Sequence, residues 1–153
     1  MDYVKVLKSC NELYVGEAVL DSLRKLFEFD LQLLSNDASE RSIASHVAQY
    51  LKPHFHGFHV DVDYNRMGST IKKVAWRSKK KQYNVYPDII IHTREKPNNK
   101  LAIEIKKDSN LEEKSKDIQK LRAYRYELGY CHALFIRFGI GDFAGTVSEC
   151  EWV

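Results

Sequence analysis

The chain reads as an α/β protein, with a central mixed sheet flanked by helices and an extra helical segment at its N-terminal end. Three observations predict this. Apolar residues recur at three- and four-residue steps from residue 17 to 51, alternate with polar ones after Gly57, and then condense into short β-branched runs separated by one more helical stretch. With 153 residues, 44% of them apolar, the chain can bury one core of ordinary size, so residues 1–153 are expected to form a single domain. Only 3 prolines and 7 glycines exclude a collagen-like or low-complexity protein. No apolar run approaches the roughly 18 residues a bilayer crossing needs, and Asp2, Lys5 and Lys8 interrupt any secretory-type start. An intracellular, cytoplasmic protein without a membrane partner is expected. Cys10, Cys131 and Cys150 are odd in number, far apart and without a Cys-x-x-Cys pair, which argues against a disulfide framework and for a reducing compartment. Nothing beside them in the sequence marks an activated thiol.

The elements follow in order. Val19, Leu20, Leu23, Leu26, Phe27, Leu31 and Leu34 line one face of a helix over residues 17–34, the main part of an N-terminal helical extension spanning 1–34. Residues 1–16 receive no assignment. Asp37 followed by Glu40 has the spacing of a capping box, so a second helix should begin there, carry Ile43, Val47, Tyr50 and Leu51 inward, and end at Pro53. Val60 and Val62 alternate with Asp61 and Asp63 as in a strand. Residues 85–92 and 101–106, divided by Pro97-Asn98-Asn99, are short and β-branched enough to be central strands. Ile118, Leu121, Tyr124 and Leu128 predict a helix over 115–128 that Gly129 stops, and residues 133–136 read as a further strand.

The chemistry-bearing residues sit on the central strands. Glu104 and Lys106 are two apart, so they leave one sheet face while Ile103 and Ile105 leave the other. A hairpin pairing of 86–92 with 101–106 would bring the Asp88 carboxylate beside Glu104. Carboxylates are hard oxygen ligands suited to Mg2+ or Mn2+, and a lysine is a point charge able to hold a water or a phosphate oxygen. On an edge strand, however, Glu104 and Lys106 would be a solvent-facing salt pair of little consequence.

The string Tyr86-Pro87-Asp88-Ile89-Ile90-Ile91-His92, followed by LAIEIKK from Leu101 to Lys107, resembles the PD-(D/E)XK nuclease superfamily, which has the restriction-endonuclease-like fold. That family's core is a helix carrying an acid, three strands, a helix and a fourth strand, similar to the order read here over a core of residues 35–140. Also similar are Ser39-Glu40-Arg41 on the leading helix, the segment from Val60 to Arg66, and the segment from Asp117 to Tyr124. The resemblance implies a metal-dependent endonuclease hydrolysing phosphodiester bonds, with DNA the preferred substrate and RNA not excluded. It implies that Asp88 and Glu104 hold Mg2+ or Mn2+, that the Ile105 carbonyl adds a ligand, and that Lys106 positions or activates water. Glu40 is the further metal-binding acid on this reading, although a capping role explains it equally well. His92, an even step beyond Asp88, would line the cleft, and Asp117 and Gln119 would steer the site or the nucleic acid.

Six cations, Lys72, Lys73, Arg77, Lys79, Lys80 and Lys81, fall within ten residues that contain no acid, with Trp76 among them. Such a block could neutralise phosphates beside aromatic stacking faces, or it could be a solvated hairpin. His54, His56 and His59 are a rival metal cluster without a completing cysteine. A Gly-x-Ser-x-Gly elbow, a P-loop and a Gly-x-Gly-x-x-Gly loop are all missing from the sequence. The competing function is a non-catalytic nucleic-acid-binding or protein-interaction module that keeps the nuclease fold. Cutting both strands of a duplex needs two sites, which would make the protein a homodimer.

Overall fold

A computed structural model describes residues 1–64 and 86–153 in full, and between them only the backbone of the short strands β2 (Arg66–Met67), β3 (Thr70–Ile71), β4 (Lys73–Ser78) and β5 (Lys81–Asn84). The side chains of Lys72, Lys73, Arg77, Lys79, Lys80 and Lys81 therefore lie outside the described residues.

The N-terminal region folds as a helical layer. In α1 (Tyr3–Lys8) the Asp2 carboxylate accepts the Lys5 amide at 3.1 Å, an end-cap that lets a six-residue helix form where hydrophobic periodicity alone gives no signal. Its partner α2 (Leu13–Phe29) buries Val15, Ala18, Val19, Leu20, Leu23 and Leu26 along one stripe. Gly16 lies at their crossing, where an added Cβ would stand 2.0 Å from the Leu7 carbonyl oxygen. Gly16→Ala must therefore force α1 off α2, and it is expected to cost about 1–3 kcal/mol in urea unfolding.

Two details of the helical layer depart from the sequence expectation. The single helix foreseen over 17–34 breaks at Asp30, whose φ of −130° leaves the helical region, and α3 (Leu31–Ser35) restarts beyond it. The Asp30 carboxylate is taken by the Tyr50 hydroxyl of α4 (Glu40–Leu51), an interaction a periodicity argument cannot register. The foreseen capping box also fails: Ser39, with extended backbone, caps α4 by accepting the Ser42 amide at 3.1 Å. Asp37 has a φ of 52°, the left-handed region, so it cannot take the extended conformation of an N-cap. Its carboxylate instead sits 2.8 Å from Lys107 Nζ. Pro53 falls in a 3-10 turn, Lys52–His54, just past the end of α4.

The fold is mixed α/β. Among the described residues the strands form one five-stranded mixed sheet in the order β1 (His59–Val62), β6 (Ile89–Thr93), β7 (Asn98–Lys107), β8 (His132–Phe138) and β9 (Val147–Trp152), plus the ribbons β2–β3 and β4–β5. Strands β6 and β7 form an antiparallel hairpin in which Ile89 faces Ile103 and Ile90 faces Ala102. Between β7 and β8 runs α5 (Ser115–Leu128), a crossover that leaves these two strands parallel, with Glu104 beside Phe135. Gly129, at φ 71°, takes the left-handed turn that ends α5. The antiparallel edge strand β9 was not foreseen, because Glu149 and Glu151 keep its apolar pattern sparse.

Strand alternation sorts the core into two layers. Ile89, Ile91, Leu101, Ile103 and Ile105 join the cluster with α1, α2 and α4, whereas Ile90, Ala102 and Phe135 join Leu121 and Tyr124 of α5. Glu104 and Lys106 thus emerge on the α5 side. Among the described residues no helix is long and apolar enough to cross a membrane.

Candidate active site

The site forms where β7 outruns its hairpin partner. Pairing with β6 ends at Ile103, but β7 continues to Lys107, and Asp88 stands at the mouth of this opening just before β6 begins. The Asp88 Oδ2 atom accepts the Ile105 amide at 2.7 Å, replacing the strand partner that the amide would otherwise lack. This contact fixes the Asp88 carboxyl next to that of Glu104.

Glu104 is only 2% exposed. Its Oε1 accepts the Tyr124 hydroxyl at 2.9 Å and lies 3.1 Å from Lys120 Nζ. Burial pushes the Glu104 carboxyl well above the ordinary carboxylate range, and the neighbouring Asp88 pushes it further. Burial also raises Asp88, against the lowering effect of the Ile105 amide. Both shifts favour the protonated acid, more strongly at Glu104 than at Asp88.

Lys120 faces the acids, Lys106 leaves the same face of β7 as Glu104, and both lysines remain charged. Lys106 is nearly buried, with Nζ 2.7 Å from Asp117 Oδ2 and 3.5 Å from Glu112 Oε2. Burial opposes its charge, but the ion pair with Asp117, together with the charges of Glu40 and Glu112, outweighs this and raises its pKa. Lys120 behaves alike: burial works against the ammonium, and the surrounding acids Glu104, Asp88 and Asp117 together raise its pKa. Tyr124 is held as a neutral donor, raised first by burial and then by Glu104. No protein-family model, curated protein or solved structure matches this chain.

The remaining candidates divide. Glu40, at the start of α4, points its Oε1 to the Lys107 amide at 3.2 Å and to the Asn110 side-chain amide at 3.0 Å, so it meets the backbone end of β7 while its charge still raises Asp88. Ile105 contributes its amide to Asp88. His92 shares the α5 side of the sheet, but its Nε2 lies 2.7 Å from Asp61 Oδ2 and its ring packs on Tyr64. That aspartate also binds Arg94; burial disfavours its ionisation, yet Arg94 and His92 together lower its pKa. Asp117 joins the site through Lys106. Gln119 instead lines a groove of about 780 Å³ along the start of α5, with Glu112, Lys114, Arg122 and Arg137.

His54 pairs with Asp21 at 2.7 Å, and His59 accepts the Arg94 amide at 3.1 Å. Among the described residues no three His, Cys, Asp or Glu side chains stand close enough to hold a metal ion as they are placed.

Lys120 and the hydroxyl of Tyr124 escaped sequence reasoning as site groups. A signal for them exists: Asp117, Lys120 and Tyr124 follow at steps of three and four, one face of a helix, and that face meets the β7 residues carrying Glu104 and Lys106.

Proposed function

We propose that the chain belongs to the PD-(D/E)XK nuclease superfamily, with a restriction-endonuclease-like core, and that it is a metal-dependent endonuclease hydrolysing phosphodiester bonds of DNA. The observation that carries this reading is the carboxyl pair of half-buried Asp88 and buried Glu104, which lies against the Lys120 ammonium while Lys106 leaves the same face of β7. A structural pair would gain more from apolar replacement than from two acids pressed together in the core. The succession of helix, hairpin, crossover helix and parallel strand supports the same family.

The donor set suits a hard divalent cation. Asp88 and Glu104 would hold Mg2+ or Mn2+ once Glu104 gives up its proton, with Glu40 and the Ile105 carbonyl beside them. Bound there, the cation supplies positive charge to the phosphate and acidifies water. The chain's own groups do the rest. The Ile105 amide aims Asp88, and Tyr124 with Lys120 aims Glu104. Lys106, kept protonated by Asp117, acts as a donor that orients water or a phosphate oxygen, and it does not remove a proton. The basic block would follow the nucleic-acid backbone, and the three free cysteines suit a reducing cytoplasm.

A divalent-metal cleavage screen over duplex, single-stranded and branched DNA and RNA tests this, with Lys106→Ala as control. Cleavage is expected with Mg2+ or Mn2+, stopped by chelator, and about 100-fold slower in Lys106→Ala. Cleavage unchanged by the variant or by chelator overturns the proposal. Because Glu104 would hold a cation only as the carboxylate, activity at fixed metal should rise with pH from the acid side. The close pairing of Lys106 with Asp117 and Glu112 favours one competitor, a binding module in which the lysine is fully engaged. That reading predicts salt-sensitive nucleic-acid binding without hydrolysis under every metal.

A further inference from the structure

On the opposite side of the sheet's β8 end, the turn between α1 and α2 meets the start of β8. There Cys10 Sγ lies 3.7 Å from His132 Nδ1, and His132 Nε2 lies 2.8 Å from Glu12 Oε1. The glutamate is anchored in turn by Lys100, whose Nζ stands 2.9 and 2.7 Å from its two oxygens. His132 is itself buried, with the Trp152 ring edge-on to it at 6.1 Å. A carboxylate accepting from Nε2 fixes the imidazole proton there, which leaves the Nδ1 lone pair directed at the thiol. Gly16 allows α2 to approach closely enough to hold Cys10 in place, its built Cβ position being only 3.2 Å from Cys10 Cβ. A thiol, a base and an orienting acid therefore stand in a line, drawn from residues 10, 132 and 12.

A pocket of about 240 Å³ opens on this line, walled by Cys10, Asn11, Arg125, Cys131, His132 and Trp152. It is smaller than the roughly 300–1,000 Å³ typical of sites for larger ligands, so only a small reactant suits it. We propose that Cys10 is a nucleophilic thiol activated by His132 and Glu12, and that it is a modification site oxidised by small hydroperoxides. The Sγ proton passes to His132 Nδ1, and the sulfur electron pair attacks the terminal peroxide oxygen. An S–O bond forms, the O–O bond breaks, and the departing oxygen takes its electron pair and the proton from Nδ1. The thiol is oxidised by two electrons to sulfenic acid, and the peroxide is reduced to water or an alcohol. Arg125, in the pocket wall, offers donors to the leaving oxygen. Hydrogen bonds from Lys100, then from His132, hold Glu12 below the usual carboxylate range, so it stays an acceptor throughout.

The chain carries its own controls, because Cys131 is exposed and Cys150 is buried whereas Cys10 is intermediate. The full chain is treated with hydrogen peroxide in the presence of a sulfenic-acid trap, and adducts are mapped by peptide mass spectrometry. Cys10 is expected to react about tenfold faster than Cys131 despite its lower exposure, and His132→Gln should remove that advantage. Glu12→Gln, which alters a more exposed group, should slow Cys10 severalfold while a thermal melt checks that the fold persists. Should His132→Gln not fold, the wild-type comparison and Glu12→Gln decide alone. Reaction at Cys131 as fast as at Cys10, or a Cys10 rate unmoved in the folded variants, overturns the proposal.

Discussion

Glutamine at position 104 is expected to yield a protein that melts higher than the native one at neutral pH and no longer cleaves nucleic acid. The amide reproduces the protonated carboxyl: its oxygen accepts from Tyr124 and Lys120, and its NH2 donates to Asp88. Glu104 is raised in the fold above its ordinary value of 4.5, so the stability it contributes is complete below that value and is lost as pH rises through the raised one. Glu104→Gln keeps this stability at every pH. Its melting temperature should therefore exceed the wild type's by a gap that widens from acid to neutral pH, about 2–4 °C for each kcal/mol. Calorimetry at several pH values reads this directly, and a gap that does not change with pH contradicts it. Cleavage should fall about 1,000-fold or more, since an amide cannot surrender a proton to make room for a cation.

The second large effect concerns Phe135. It is fully buried beside Glu104 in register, on the same face of the sheet, and forms part of the layer under α5. Phe135→Ala should lower stability by about 3–5 kcal/mol in urea unfolding through lost burial and the cavity left behind. Phe143, 68% exposed, provides the contrast, and its alanine variant should unfold at nearly the native midpoint. Water admitted at position 135 also solvates Glu104, so the carboxyl should titrate closer to its ordinary value. The pH-dependent part of the Glu104→Gln melting gap should then shrink when both substitutions are combined.

What could be read from the sequence followed how local each cause is. The helix over 115–128 matched its expected bounds because its apolar residues and the stopping Gly129 all act within the segment. The pairing of Asp88 with Glu104 was likewise legible, since two β-branched runs across a polar turn determine which residues face one another. Long-range partners stayed hidden. Asp30 breaks a regular helical pattern while its side chain binds Tyr50, twenty residues away, and Asp37 leaves its capping role with its side chain on Lys107, seventy residues away. Glu40 accepts the Lys107 amide, a partner no local pattern indicates. Lys120 could be placed on a helix but not assigned to an acid, because only the crossover brings α5 over β7. The Cys10, Glu12 and His132 line joins the two ends of the chain, and no sequence window contains it.

The crossover also bears on the order of folding. Asp88 and Glu104 meet by closing a short hairpin, a local event with a small entropic cost, whereas their neutralising ammonium and hydroxyl groups arrive on a helix that must swing over the sheet to join a parallel strand. A chain with the hairpin shut and the helix absent would hold two acids together with nothing to balance them. Hairpin and helix are thus bound to order as one cooperative unit, and amide exchange should protect the backbone of residues 101–107 and 118–124 with the same opening free energy.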